Sequence, residues 1–539
     1  MLTHHAVAAG DAPRALHHAT QAAEEAARAG SHTEAAAFYR IALANLADGD
    51  PRRRADLMQR LSYEQYMTSR LAEAIDNVRA SFLLWQEADD ANGLAAAHGT
   101  AGLYEYYSAH RREAESHLDR AMDIAGDDGE GTLTYAGARS MRGYLAYMRH
   151  DLDLATSMLA DAGRIAEAQG DQALGVRNAL FRSVVDVFAD GQDARSTLTD
   201  SIEVARGVGL DEIASTGYSQ LAYLDVEQRR LRSAENVLEE SLPFTVERDI
   251  PICRHWQTAV RSRLRFLEGR WSAALEDATQ VVTGDGMPLA RLWPYVVGAL
   301  ITLRSGSGED TSGLDAAWDL LTQLDETARR LGVLAGLAER QWMTGVPDER
   351  VTEVAAADLA AWDGKPGAEW ATGELAVWLR RLGLLDEVPS GVAEPFRLSL
   401  SGQHEEAASW WRQAGEPFAE AMCLVDSPED AVRARGVEAL DKIGATATAD
   451  RVRVELRQAG VTVVPPRPRE STRANPGGLT NRQLDVAKLV ARGFTNAEIA
   501  SRLFISPKTA DHHVSAVLAK LGMPNRRAVV VRAAELGLV

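Results

Sequence analysis

Cysteine is nearly absent from this 539-residue chain, which contains only Cys253 and Cys423. Two cysteines 170 positions apart allow neither a disulfide framework nor a CxxC pair for zinc, so the composition favours a reducing, intracellular environment. Long apolar runs are missing as well, because the longest, residues 292–303, is too short to span a bilayer and contains Pro294. The N-terminus lacks a signal-peptide pattern. We therefore expect a cytoplasmic protein without membrane segments.

Signatures of catalysis and of cofactor binding are also missing. The phosphate-binding pattern GxxxxGK(S/T) does not occur, and Gly364-Lys365 precedes a proline and lacks the upstream glycine. Adjacent histidines such as His4 and His5 have no cysteine or carboxylate partner at ligand spacing. We therefore predict no catalytic residues, no metal and no cofactor, and we expect that the chain is not an enzyme.

The charges that are present divide unevenly along the chain. Lys and Arg number 58 against 77 Asp and Glu, a formal net charge of -19. Residues 479–539 nevertheless contain nine Lys or Arg and four Asp or Glu, a net charge of +5, and residues 465–478 add +2. Residues 1–464 therefore carry -26. The acidic part should repel a polyanion, and the basic end should attract one.

An internal repeat occupies the acidic part. Seven times a turn residue is followed by an alanine that opens an apolar helical face, and successive alanines are 39 to 41 residues apart. The turn residues are Gly30, Arg70, Arg111, His150, Gly191, Arg230 and Gly269, and the alanines are Ala35, Ala74, Ala114, Ala155, Ala194, Ala234 and Ala274. Five units place a bulky residue eight positions before the alanine, namely Tyr66, Tyr106, Tyr147, Val226 and Phe266. A bulky residue facing a small one lets two helices approach closely.

The spacing of apolar residues within these units is helical. It follows i, i+3, i+4, and strand-like alternation is scarce, so each unit predicts an antiparallel helical hairpin. Such hairpins bury their apolar faces by stacking into a solenoid with a concave surface. The unit resembles a tetratricopeptide repeat but exceeds the about 34 residues of that family. We expect an all-α fold, with regular tetratricopeptide-like repeats over 1–300 and less regular helical repeats over 301–463.

A Pro-rich segment, residues 464–478, separates the repeats from the basic end. Its four prolines and two glycines are typical of a semi-extended linker. Four short helices follow, because Thr480, Thr495, Ser506 and Asn525 fit N-cap positions. We predict these helices over residues 481–492, 496–503, 507–521 and 526–536.

The third of these helices has two different faces. Its apolar stripe spans about 100° and consists of Ala510, Val514, Val517, Leu518 and Leu521. The opposite side carries Lys508, His512, Ser515 and Ala519, which can offer hydrogen-bonding groups to base edges in a major groove. Lys508 and Thr509 at the helix start suit phosphate contacts. The alternative is a merely solvated helix, but the tight connection before it and the local positive charge favour nucleic acid.

The stretch LTNRQLDVAKLVARGFTNAEIASRLFISPKTADHHVSAVLAKLGMPNRRAVV, from residue 479, resembles the LuxR-type helix-turn-helix of bacterial transcriptional regulators. Together with the repeats, the chain resembles the large MalT-like (LAL) members, in which helical repeats precede the DNA-binding end. Those members carry an ATP-binding module ahead of the repeats, which is lacking here. We expect either a natural short form or a Met1 that lies inside a longer reading frame.

The resemblance implies roles for individual residues. It makes residues 495–514 the helix-turn-helix motif of a four-helix domain, 479–539, with the third helix as the recognition helix. It places Asp511, His512 and Ser515 at base-facing positions and Lys508 and Thr509 at phosphate-facing ones, to which the N-cap residues Thr480 and Thr495 are added. Relatives pair through the last helix, where Val529, Val530 and Ala533 could supply an apolar dimer seam. Gln483 and Ala510 depart from the family, which commonly has Glu and a branched apolar residue at these positions.

The sequence thus leads to the hypothesis of a transcriptional regulator that binds promoter double-stranded DNA as a homodimer and is nucleoid-associated when bound. Its repeat region would sense a small-molecule or protein inducer, and RNA polymerase is a further candidate partner. The alternative is an interaction scaffold whose repeat surface holds a protein partner while the DNA-binding tail is vestigial. An ATPase interpretation has no support in the residues.

Overall fold

The fold is entirely helical wherever the chain is described. The computed structural model describes residues 2–47, 49–126, 131–190, 194–385, 387–461, 464–467 and 475–538. Within these ranges there are twenty-nine α-helices and no β-strand, so the predicted all-α fold is confirmed. No helix in these ranges combines the length and apolar character that crossing a bilayer requires. The chain forms two compact units, Met1–Ser427 and Pro428–Val539.

The first unit consists of helices α1 to α23. The first fifteen, α1 to α15, are Leu2–Ala8, Ala12–Arg28, His32–Ala44, Pro51–Met67, Leu71–Glu87, Ala91–Tyr107, Arg111–Gly126, Leu133–Met148, Leu152–Gln169, Gln172–Asp190, Arg195–Gly207, Asp211–Glu227, Leu231–Glu247, Pro251–Leu267 and Trp271–Thr283. The next eight, α16 to α23, are Leu292–Ser305, Gly313–Leu324, Thr327–Thr344, Ala355–Trp362, Glu369–Arg381, Glu394–Leu400, His404–Ala414 and Pro417–Val425. A 3-10 turn, Pro288–Arg291, precedes α16, and a π-helical turn, Arg350–Val354, precedes α19.

The repeat residues lie at the contacts between the two helices of each hairpin. Six of the seven repeat alanines are fully buried near the start of the second helix, namely Ala35, Ala74, Ala114, Ala155, Ala234 and Ala274. The five bulky residues near the end of the preceding helix are buried as well. Because a methyl group opposite a large ring lets two helix axes approach, these positions specify the close hairpins that the sequence predicts.

The fifth unit departs from the predicted register. Ala194 is the N-cap of α11 and only half-buried, whereas Leu198 is fully buried. Leu198 lies three residues after the start of α11, as Ala74 lies three residues after the start of α5. The prediction that Ala194 opens the buried face was therefore wrong. The reason is that α10 has 19 residues, whereas α4, α6 and α12 have 17, so α11 begins later in the sequence than the repeat spacing predicts. The turn residue predicted there, Gly191, lies outside the described residues.

The first helices of successive hairpins form a continuous inner layer. From α4 to α18, each even-numbered helix contacts the next even-numbered one. The layer also closes on itself, because α4 contacts α14, and outside this layer α7 contacts α17. The hydroxyl of Tyr66 donates to Glu212 over 3.4 Å, and the hydroxyl of Tyr106 donates to Glu326 over 3.0 Å, although these partners are 146 and 220 residues apart. Side chains from helices far apart in the sequence thus meet in the interior of the first unit.

The second unit contains the remaining six helices of the described ranges. Helices α24 to α29 are Asp430–Lys442, Thr446–Gln458, Asn481–Ala491, Asn496–Leu503, Pro507–Lys520 and Arg526–Val531. The predicted linker, 464–478, lies partly outside the described residues, which omit 468–474. The side chains of all four predicted N-cap residues accept a backbone hydrogen bond, which confirms the predicted helix starts.

The last helix is shorter than predicted. It ends at Val531, five residues before the predicted end at Leu536. Gly537 adopts a positive φ of 62°, and the amide of Leu538 donates to the carbonyl of Ala533 over 3.0 Å. This turn folds the end of the chain back, so that Leu538 packs into the core.

Candidate nucleic-acid interface

Helices α26 to α29 enclose one apolar core, and that core fixes which face of α28 points outward. From α28, Ala510, Val514 and Val517 are buried, and Leu518 and Leu521 pack against them. The other helices contribute Val486, Ala487, Val490, Ile499, Ala500 and Val529. The predicted apolar stripe is therefore confirmed, and the opposite side of α28 is exposed.

The connection between α27 and α28 is a tight turn. Phe504 ends α27 in the left-handed region with φ 53°, and the amide of Ile505 donates to the carbonyl of Ala500 over 3.0 Å. Ser506 Oγ then accepts from the amide of Thr509 over 3.0 Å, which starts α28. Since each step of the turn is hydrogen-bonded, the angle between the two helices is well defined.

A polar bridge adds a second constraint on α28. Arg526 Nη2 donates to Asn496 Oδ1 over 3.2 Å, and Asn496 Nδ2 donates to Asp511 Oδ1 over 2.8 Å. Three helices, α29, α27 and α28, are thereby joined. Asp511 is exposed, as a base-facing residue must be, but one of its carboxylate oxygens is already engaged. Sequence reasoning missed Asn496 and Arg526, because residues 15 and 30 positions apart meet only after folding.

The remaining predicted groups on α28 are available to a ligand. Lys508, His512 and Ser515 are exposed, and none of them makes a hydrogen bond or ion pair with a described residue. Thr509 is also exposed, and its hydroxyl lies 2.8 Å from the hydroxyl of Ser506. The outer face of α28 therefore presents an ammonium group, an imidazole and a hydroxyl that have no partner in the described part of the chain.

The two N-cap threonines differ in what they can still donate. Thr495 Oγ1 donates to Glu498 Oε2 over 2.7 Å, so its proton is used within the capping box. The backbone and hydroxyl of Thr495 hold the pKa of Glu498 below its usual range. Thr480 Oγ1 accepts from the amide of Gln483 over 3.2 Å, and its proton has no acceptor among the described residues. Of these two threonines, Thr480 is therefore the one whose hydroxyl proton, as far as the chain is described, remains available to a phosphate.

The predicted dimer seam is only partly at the surface. Val529 and Ala533 are buried in the core of the domain, because the shortened last helix and the returning chain end enclose them. Val530 is 41% exposed, and the neighbouring Val531 is 76% exposed. The exposed apolar pair on α29 is therefore Val530 and Val531. Val529 and Ala533, which the sequence analysis placed in an outward-facing seam, instead lie in the core of the domain.

The same domain carries several further cations. Lys488, Arg492 and Arg527 are exposed, and none of them is paired with a described acid. Arg502 lies 4.2 Å from the ring of Phe494, and Arg532 pairs with Glu535. Within the described ranges, no three His, Cys, Asp or Glu side chains converge as metal ligands. The excess of cations over acids suits contact with a polyanion.

Comparisons with known proteins agree on this domain. Residues 478–533 match the family described as "Bacterial regulatory proteins, luxR family". A Mycobacterium tuberculosis protein named as an HTH-type transcriptional regulator, Rv0890c, is 48% identical over 61 residues. The DNA-binding transcriptional activator DevR/DosR of the same species is 44% identical over 59, and the response regulator VraR of Staphylococcus aureus is 39% identical over 61. The matched segment is 11% of this chain and 7%, 27% and 29% of these relatives.

Proposed function

We propose that this chain, whose C-terminal residues 478–533 form a domain of the bacterial LuxR family, is a DNA-binding transcriptional regulator that acts in the cytoplasm on the nucleoid. The observation that carries the proposal is the outer face of α28, where Lys508, His512 and Ser515 are exposed and make no hydrogen bond or ion pair with any residue that the structure describes. The relatives named as transcriptional regulators support the same function.

In the proposed complex, α28 lies in the major groove. His512 and Ser515 meet base edges, because their side chains can donate and accept hydrogen bonds from the centre of the exposed face. Lys508, Thr509 and the Thr480 hydroxyl meet phosphates and fix the register. Asp511 contributes mainly by orienting α28 through Asn496, and its second carboxylate oxygen remains able to accept from a cytosine amino group.

The regulator would bind as a homodimer through α29. Val530 and Val531 supply an exposed apolar pair on this helix, and a two-fold dimer would read half-sites about one helical turn apart. The first unit would act as the sensor for a small-molecule or protein inducer, with RNA polymerase as a further partner of the DNA-bound form.

Selection of bound duplexes from a random pool by the full chain tests the proposal. We expect enrichment of a defined sequence with two related half-sites, and footprinting should protect both. Val530→Ser/Val531→Ser should reduce protection of the paired site while a single half-site is still bound. A pool that shows no enrichment after repeated selection would contradict sequence-specific binding.

A further inference from the structure

A cavity inside the first unit is not used by the DNA-binding function. It has a volume of about 270 Å³ and lies between the inner-layer helices α4, α6, α8, α10 and α12. Small-molecule sites usually have roughly 300–1,000 Å³, so this cavity suits a compact ligand. Four aromatic side chains line it, namely Tyr63, Tyr104, Tyr107 and Phe181.

Two glycines of the cavity wall are not explained by helix packing. Gly99 in α6 and Gly137 in α8 border the cavity, and a Cβ added at either would meet nothing within 4 Å. In the same two helices, by contrast, a Cβ at Gly102 would lie 2.7 Å from Leu118, and one at Gly143 would lie 3.0 Å from Leu159. Glycine inside a helix costs roughly 0.5–1 kcal/mol relative to alanine. Gly102 and Gly143 are thus required by packing, whereas Gly99 and Gly137 only keep the cavity open.

One carboxylate in the cavity wall has weak internal partners. The side chain of Glu212 is only 15% exposed. It accepts from the hydroxyls of Tyr66 over 3.4 Å and Thr216 over 3.5 Å, and it lies 3.5 Å from Arg177 Nη2. Hydrogen bonds to a carboxylate are commonly about 2.7–2.9 Å, so these contacts are long. Glu212 therefore keeps much of its capacity to accept a hydrogen bond or to pair with a cation.

The neighbouring hydroxyls are similarly unused. Tyr63 and Tyr107 make ring contacts, but neither hydroxyl has a hydrogen-bond partner among the described residues. A carboxylate in a cavity that aromatic rings also line is a chemistry that recognises organic ammonium groups, because both the anion and the ring faces attract positive charge. The net charge of -26 over residues 1–464 favours the same sign of ligand.

We propose that this cavity binds a small organic cation with an apolar body. The ammonium group would pair with Glu212, and the apolar body would contact the aromatic rings beside Gly99 and Gly137. Arg177, whose side chain is 43% exposed, would then turn toward solvent and release Glu212. That this ligand acts as the inducer rests on the proposed function, whereas its binding does not.

The sign of the ligand charge can be tested by calorimetric titration of the full chain. The probe is benzyltrimethylammonium, with phenylacetate and benzyl alcohol as anionic and neutral probes of similar size. We expect the cation to bind at least roughly tenfold more tightly than the other two probes. Glu212→Gln should weaken cation binding by a similar factor, and Arg177→Gln should strengthen it, because Arg177 competes for Glu212. Tighter binding of phenylacetate, lost in Arg177→Gln, would overturn the proposal.

The glycines provide a test with a matched control. Gly137→Leu should abolish cation binding without lowering Tm, since its Cβ meets nothing and leucine is the better helix former. Gly175→Leu in α10 is the control, because a Cβ there also meets nothing within 4 Å but the residue does not line the cavity. Should Gly137→Leu lower Tm, Gly99→Leu takes its place. A folded Gly99→Leu or Gly137→Leu variant that binds the cation normally would contradict the proposal.

DNA binding by the same preparations separates this proposal from the proposed function. If the wild-type chain binds DNA but does not bind the cation, the cavity proposal alone is overturned. Cation binding without any DNA binding would support the cavity and overturn the regulator.

Discussion

Buried arginines of the first unit and exposed cations of the C-terminal domain, residues 479–539, lie in opposite environments. In the first unit, arginines are buried against acids: Arg304 donates to Glu339 over 2.7 and 2.8 Å, and Arg229 contacts both Glu374 and Glu416. In residues 479–539, by contrast, Lys488, Lys508 and Arg527 are exposed and unpaired among the described residues. The buried arginines are already paired within the fold, whereas the exposed cations remain available to a binding partner.

The difference follows from desolvation. A buried ion needs an opposite charge and further hydrogen bonds to offset the loss of water, so its partners are fixed within the fold. Arg304, for example, also lies 3.5 Å from the ring of Phe418. An exposed cation keeps its hydration until a phosphate replaces it, and counterion release then drives binding. A local excess of exposed cations over acids, such as the net charge of +5 in residues 479–539, is therefore a better guide to the nucleic-acid interface than the overall charge of -19.

The largest effect is expected from breaking a buried ion cluster of the first unit. Glu326 lies 2.8 Å from Arg329 and 3.8 Å from Arg111, and all three side chains are buried. Glu326→Ala should lower the free energy of unfolding by about 3–5 kcal/mol, because two arginines lose a buried counter-ion. Glu535→Ala, which breaks the exposed pair with Arg532, is the control and should change it little. Urea denaturation measures the free energy of unfolding of both variants. Equal decreases in the two variants would contradict the difference between buried and exposed ion pairs.

The second-largest effect is expected from lowering the pH, which should destabilise the first unit. Burial lowers the pKa of His98, His150 and His255 to about 4, below the usual 6.5. Because the unfolded chain binds these protons more readily, stability present above pH 6.5 should fall as the pH drops from 6.5 toward 4. We expect a loss of about 2 kcal/mol after discounting for partial exposure. His150→Phe, which keeps a ring against Trp362, should reduce the loss. Denaturation midpoints that do not change over this range would refute the assignment.

Base discrimination is the third effect. His512→Ala and Ser515→Ala should each remove about 1–3 kcal/mol of preference at one base position, since each side chain faces the groove in the proposed complex. Binding to a set of single-base variants of the selected duplex measures this preference. His17→Ala, which removes an exposed helical histidine of the acidic unit, should leave the profile unchanged. A His512 or Ser515 variant with the wild-type profile would exclude that residue from base contact.

The smallest effect should come from one phosphate contact. Lys508→Ala should weaken binding to all duplexes alike, by about fivefold at physiological salt, and should reduce the log-log salt slope by about 0.9. Anisotropy titrations at several salt concentrations measure both quantities. A variant that changed only the preferred base, with an unchanged slope, would show that Lys508 contacts a base edge instead.

Local features of this fold could be predicted from the sequence, and long-range ones could not. The caps at Thr480 and Ser506 were predictable because an N-cap bond joins residues three apart. The repeat alanines were predictable where hairpin lengths are constant, and Ala194 was not, because the length of α10 differs. The bond from Tyr106 to Glu326 has no local signal, since it depends on closure of the whole inner layer.

In the candidate site, too, local features could be predicted from the sequence and long-range contacts could not. The exposed face of α28 was predictable from its helical period, because the apolar stripe leaves only one side for the ligand. The seam was predicted incorrectly at Val529 and Ala533, since the early end of α29 and the returning Leu538 enclose both residues. The Asn496 bridge to Asp511 also required the folded arrangement of two helices.

Salt-dependent DNA binding by the two parts of the chain is the decisive measurement for the proposed nucleic-acid interface. Residues 465–539 and residues 1–464 are titrated separately against the selected duplex between about 50 and 200 mM salt. We expect the C-terminal fragment to bind with a log-log slope of about 0.9 per neutralised phosphate, and we expect no binding by the acidic fragment. Binding confined to residues 1–464, or salt-independent binding by the C-terminal fragment, would contradict that interface.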